Sequence, residues 1–123
     1  LKQHGFNNVD VESYGITAAT RFDPTDPLVN WTLDVITQST NKKPALLPNL
    51  GGSLPNDIFA DILGLPTLWI PHSYPACGQH AVNEHMLKPI ASEGLQIMTR
   101  LFWDLGQHGK ELIAQHKQHQ KNK

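Results

Sequence analysis

Two stretches of the chain hold residues whose types and spacing can do chemistry. The first is a glycine turn, Asn49-Leu50-Gly51-Gly52-Ser53-Leu54-Pro55. Placed after an apolar run and before a helix, it offers free backbone N–H groups and the Ser53 hydroxyl. Such groups near a helix N-terminus favour an anion, a carboxylate or a phosphate. The plain alternative is a tight turn in which glycine only permits positive φ. Neither the spacing nor the missing lysine fits a P-loop or a dinucleotide fingerprint.

The second stretch runs from Pro71 to Glu84 and into His85, and it carries His72, Cys77, His80 and His85. All four are zinc-ligand types, but their spacing matches no Cys/His finger. His80 and His85 would stand about 140° apart on a helix, so they are not the pair of an HExxH site. Neither Ser53 nor Ser73 sits in a nucleophile elbow. A Cys77 nucleophile with His80 as its base carries no specific signature. By residue type alone, a loop histidine is more often a hydrogen-bonded structural residue than a ligand.

The surrounding elements must position these stretches. Val9, Val11 and Ser13 alternate with Asp10, Glu12 and Tyr14, which predicts a strand with one wet face. Asp23-Pro24-Thr25-Asp26-Pro27 is turn chemistry, and Asp26-Pro27 is an N-cap followed by a first-turn proline. A helix is expected from Pro27 to about Ser39, with Leu28, Trp31, Leu33, Val35 and Ile36 as its apolar stripe. Ala45-Leu46-Leu47 and Pro66 to Pro71 read as short buried strands, flanking a helix from Pro55 to about Leu63 that Gly64 stops. That order implies a βαβ-like unit with both chemical loops at the carboxyl ends of strands. A long helix should begin near Lys88 and bury Ile90, Ala91, Leu95, Ile97, Met98, Leu101, Phe102 and Leu105. Gly106 and Gly109 are expected to break it, leaving a polar tail with His108, His116 and His119 frayed or disordered.

Composition narrows the function classes. With 123 residues, 39% hydrophobic and 17% charged, the chain is of globular type and suited to one modest core. A net charge of −1 supplies no basic field for nucleic acid or an anionic membrane. The single Cys77 excludes an internal disulfide and suits a reducing, cytoplasmic compartment. No apolar run approaches the ~20 residues that span a bilayer, and no signal-peptide pattern opens the chain. Leu1 is not a start methionine, so the chain reads as a fragment of a larger protein.

Gly51-Gly52-Ser53-Leu54-Pro55, followed by His80-Ala81-Val82-Asn83-Glu84 and a long helix, resembles the C-terminal end of the dizinc metallopeptidase and deacylase family. That family includes acetylornithine deacetylase, succinyl-diaminopimelate desuccinylase, carboxypeptidase G and the cytosolic dipeptidases. The likeness covers roughly Phe6 to Leu105, and the two motifs in this order are far more specific than either alone. It implies an α/β fold: a partial catalytic domain with helices on a short, incomplete sheet, preceded by a remnant of the lid domain. Residues 1–17 would be lid end and hinge, 18–106 the C-terminal part of the catalytic domain, and 107–123 the tail.

By the same resemblance, His80 falls on the family's last zinc ligand, with Asn83 and Glu84 supporting its loop. Gly51, Gly52 and Ser53 fall on the turn that contacts the substrate's carboxylate or backbone. The implied reaction is hydrolysis of a peptide or amide bond in a small peptide or N-acyl amino acid. In it two zinc ions activate a bridging water, a glutamate takes its proton and a lid residue holds the oxyanion. The other ligands and the catalytic glutamate are expected in an N-terminal half outside these residues, and homodimerisation through the lid. No catalytic residue is expected within the chain itself, which should be inactive alone. Two alternatives stand beside this: a small module whose glycine turn binds a carboxylate-bearing ligand, and a self-standing zinc domain built on His72, Cys77, His80 and His85.

Overall fold

The computed structural model describes residues 1–48 and 50–122. It is a helical protein, and among the described residues no β-strand forms. This corrects the expected α/β fold. The segments around Val9 to Ser13, Ala45 to Leu47 and Pro66 to Pro71 are present but carry no regular structure. A period-two or short apolar pattern becomes a strand only when another segment pairs with its N–H and C=O groups. No described segment does so, and the βαβ unit is therefore absent. The chain divides into two compact units, Leu1–Thr20 with Gly51–Thr67, and Arg21–Leu50 with Leu68–Lys123.

In the first unit residues 51–57 lead into a single wide turn of π-helix, Ile58–Ile62, closed by Leu63 N–H donating to the Ile58 carbonyl at 3.0 Å. Gly64 then takes φ 63°, the left-handed conformation that ends the turn, as its position predicted. Asn56 ties the unit together by donating through Nδ2 to Thr20 Oγ1 at 2.6 Å and to Thr67 Oγ1 at 3.0 Å.

The second unit is built on two helices, α1 (Pro27–Thr40) and α2 (Lys88–Lys121). α1 starts where its sequence signals place it. The Asp26 carboxylate accepts the Leu28 N–H at 2.9 Å, and Pro27 fills a first-turn position whose N–H would be orphaned anyway. Asn41 ends it in a left-handed conformation, φ 54°, with its N–H on the Thr37 carbonyl. Val29, Thr32 and Val35 form its buried stripe. The Thr32 hydroxyl donates to the Leu28 carbonyl at 2.8 Å, so its burial leaves no unmet hydrogen bond.

α2 buries Gly94, Ile97, Leu101 and Leu112. Val35, Ile97 and Leu101 make the core, with Trp31, Ile36 and Ile70 packed around it. Only part of the expected stripe faces inward, since Leu95 is 71% and Phe102 70% exposed. Lys42 and Glu93 add an ion pair between the α1 C-terminal turn and α2.

The helix does not break at Gly106 or Gly109. Glycine costs about 1 kcal/mol at each interior position, which two later contacts offset. Leu112 is buried, and the final turns dock on the start of α1. There His116 Nδ1 meets the Asp26 carboxylate at 2.7 Å, and His119 Nε2 meets that of Asp23 at 2.6 Å. Phe22 stacks on the His116 ring with centroids 5.9 Å apart. His116 and His119 are therefore anchors of an ordered helix rather than part of a frayed tail, while His108 lies exposed within that helix.

Asp26 is fully buried, so removing it strips both a cap and the His116 partner. Asp26→Ala is expected to lower unfolding free energy by about 3 kcal/mol. In a denaturant-melt double-mutant cycle with His116→Ala, the two losses should be clearly non-additive.

Candidate functional site

The loop that carries His80 is a closed structure of its own. Pro75–Cys77 forms one 3-10 turn, with Cys77 N–H on the Tyr74 carbonyl at 3.0 Å. Gly78 follows at φ 67°, and Ala81 N–H returns to the Gly78 carbonyl at 2.8 Å. His85 N–H closes the loop on the Cys77 carbonyl at 2.9 Å. Within it His80 and Asn83 both stand at φ 64°. A left-handed conformation costs a residue with a Cβ roughly 1–2 kcal/mol, although asparagine tolerates it best. Strain of this kind persists only where surrounding bonds enforce it, and it collects at functional sites.

Glu84 is one enforcing group, because its carboxylate accepts the His80 N–H at 3.2 Å. The Asn83 carbonyl lies 2.9 Å from His85 Nδ1. His80 itself is exposed. The arrangement presents one imidazole to solvent from a braced backbone.

The other three zinc-type residues lie elsewhere on the same segment. His72, Cys77 and His85 line a cleft of about 260 Å³ together with Tyr74 and Glu84, and His80 is not part of its wall. Cys77 is a buried free thiol. The His72 ring packs against Gly94 of α2, where an added Cβ would lie 3.0 Å from Nδ1. A side chain at that position would crowd the ring, which would have to shift by a few tenths of an ångström. Among the described residues no three His, Cys, Asp or Glu side chains come together in a way that could hold a metal ion. The residues present do not by themselves fit a zinc ion, and the four-ligand arrangement on His72, Cys77, His80 and His85 does not assemble.

Asn49 of the glycine turn lies outside the described residues, and residues 51–55 of the turn belong to the first unit. Gly51, Gly52 and Ser53 are all exposed. Gly51 does not take a positive φ, and a Cβ there would meet nothing within 4 Å. Local geometry therefore gives no need for glycine at 51, which leaves room for an incoming group against its backbone. The helix expected to begin at Pro55 is reduced to the five residues Ile58–Ile62, too short for a substantial dipole. Any anion here would rest on the amides and the Ser53 hydroxyl.

An apolar groove of about 430 Å³ runs between α1 and α2, lined by Val29, Ile36, Leu46, Trp69, Ile90 and Ile97 among others. The periodicity of the two helices does not announce it, because its floor is completed by segments outside both. Likewise no helix is long and apolar enough to cross a membrane among the described residues. Comparison with protein-family models, with curated proteins and with solved structures finds no match in any of the three.

The Tyr74 hydroxyl is buried with no hydrogen-bond partner. An unmet buried hydroxyl costs about 1–3 kcal/mol, so Tyr74→Phe should be neutral or raise stability by about 1 kcal/mol in thermal unfolding. A loss of stability on this substitution would mean that a water or another group satisfies the hydroxyl.

Proposed function

We propose that this chain is the C-terminal part of a zinc-dependent amidohydrolase of the dizinc peptidase and deacylase kind. It contributes the imidazole of His80 as one metal ligand and Gly51-Gly52-Ser53 as a contact for the substrate's carboxylate or backbone. The substrate is a dipeptide or an N-acyl amino acid. The remaining ligands and the general base come from outside these residues.

The observation that carries this reading is the pair of motifs in order, Gly51-Gly52-Ser53-Leu54-Pro55 and then His80-Ala81-Val82-Asn83-Glu84. Two features support it. His80 is exposed on a strained loop, and Glu84 braces that loop at the His80 N–H. The backbone at Gly51 is open to an approaching group. A sheet has no part in this support.

In the full-length gene product, His80→Ala should lower kcat/KM roughly 10³-fold or more, because a polarising metal is worth several kcal/mol to the transition state. Glu84→Ala, which removes the brace, should cost about 10- to 100-fold. An unchanged rate in the His80 variant defeats the ligand assignment. The chain alone, with zinc, should hydrolyse neither dipeptides nor N-acyl amino acids. Tight metal-free binding of these compounds in calorimetry would instead transfer the assignment to a binding module.

A further inference from the structure

We infer that the cleft walled by His72, Tyr74, Cys77, Glu84 and His85 is a binding site for a primary ammonium group. All of its residues lie in the second unit. At about 260 Å³ it is smaller than the usual site for a drug-sized ligand, and it suits the end of a molecule rather than a whole one. The cleft's ligand needs no metal. Joined to the hydrolase reading, on which this further step rests, the site selects dipeptides over N-acyl amino acids, because only the former carry a free amino end.

Glu84 sets the sign of the ligand. Its carboxylate is the one formal charge in a wall that holds no lysine or arginine. Among the described residues no cationic side chain pairs with it. Oε2 accepts the His80 N–H at 3.2 Å, which leaves Oε1 for a second donor. An anion would meet repulsion here. A charged N–H donating to a carboxylate is instead among the stronger hydrogen bonds a protein can make.

Two further acceptors share the wall. His85 Nδ1 lies 2.9 Å from the Asn83 carbonyl, and a carbonyl only accepts, so Nδ1 holds the ring proton. In the neutral ring Nε2 then keeps its lone pair. The Tyr74 hydroxyl is buried with no hydrogen-bond partner, and its ring stands edge-on to His85 with centroids 6.1 Å apart. A buried polar group without a partner is a costly exception, and a bound N–H donor removes it. Glu84, His85 and Tyr74 together supply three acceptors, the number that the three N–H bonds of an ammonium can use.

Cys77 is the only cysteine of the chain and lines the same cleft, so its thiol reports on occupancy. Leucinamide should slow alkylation of Cys77 by iodoacetamide, with half its effect in the millimolar range. Isocaproamide, the same molecule without the amine, should protect at least ~10-fold less, the loss expected for one hydrogen bond to a charged group. Glu84→Gln should weaken protection by leucinamide to the same degree, while its amide still accepts the His80 N–H and keeps the loop. NMR shifts of the His85 ring in the same titration give the second reading where the buried thiol reacts too slowly to time. Leucinamide stands for a peptide's amino end and Nα-acetyl-lysinamide for a side-chain amine; the stronger ligand names the source, and either supports the site. Neither protection nor a ring shift with either amine, equal protection by isocaproamide, or undiminished binding in Glu84→Gln would overturn the inference. None of these outcomes bears on the zinc ligand, which His80→Ala tests separately.

Discussion

The second unit depends on one buried carboxylate. Asp26 has no exposed surface, yet its carboxylate accepts the Leu28 N–H that opens α1 and meets the His116 ring in the last turns of α2. A buried charge persists only when its oxygens are satisfied, and breaking such an arrangement is far costlier than never having built it. The same four-residue turn places Asp23 under His119, so two consecutive turns of α2 are pinned to one short segment 90 or more residues away. Between these anchors and the Val35–Ile97–Leu101 core, α2 is fixed at both halves of its length. That is why two interior glycines leave it whole.

Fixing α2 has consequences for the loop that precedes it. The N-terminal half of the helix carries Gly94, whose bare backbone receives the His72 ring. The Cys77–His85 closure then stands a few residues before the helix begins. Three left-handed residues in six, at Gly78, His80 and Asn83, hold the loop in a shape that an unconstrained chain would avoid. The result is an imidazole held out from the loop, with Glu84 setting the backbone beneath it. One such group is a partial site, and the chemistry proposed for it draws on ligands beyond these residues.

Local signals were legible where they concerned one element at a time. Asp26-Pro27 gave the start of α1 and the αL residue Asn41 lies one residue past its last turn, because caps act within a few residues. Gly64 marked a stop, and α2 begins at Lys88, where its start was expected. The strands were not legible in the same sense. Val9, Val11, Leu46 and Leu47 have the residue types of strands, but pairing is a property of two segments and a pattern describes only one.

By itself, the sequence determined where the two helices start. These follow from side-chain chemistry and near-neighbour backbone geometry. Tertiary structure decided that no described segment pairs into a sheet, that α2 runs on through Gly106 and Gly109, and that His116 and His119 are anchors. It also decided that His72, Cys77 and His85 line one cleft while His80 faces solvent apart from them. Each of those outcomes rests on partners far away in the chain, and contact across that distance leaves no mark in local spacing.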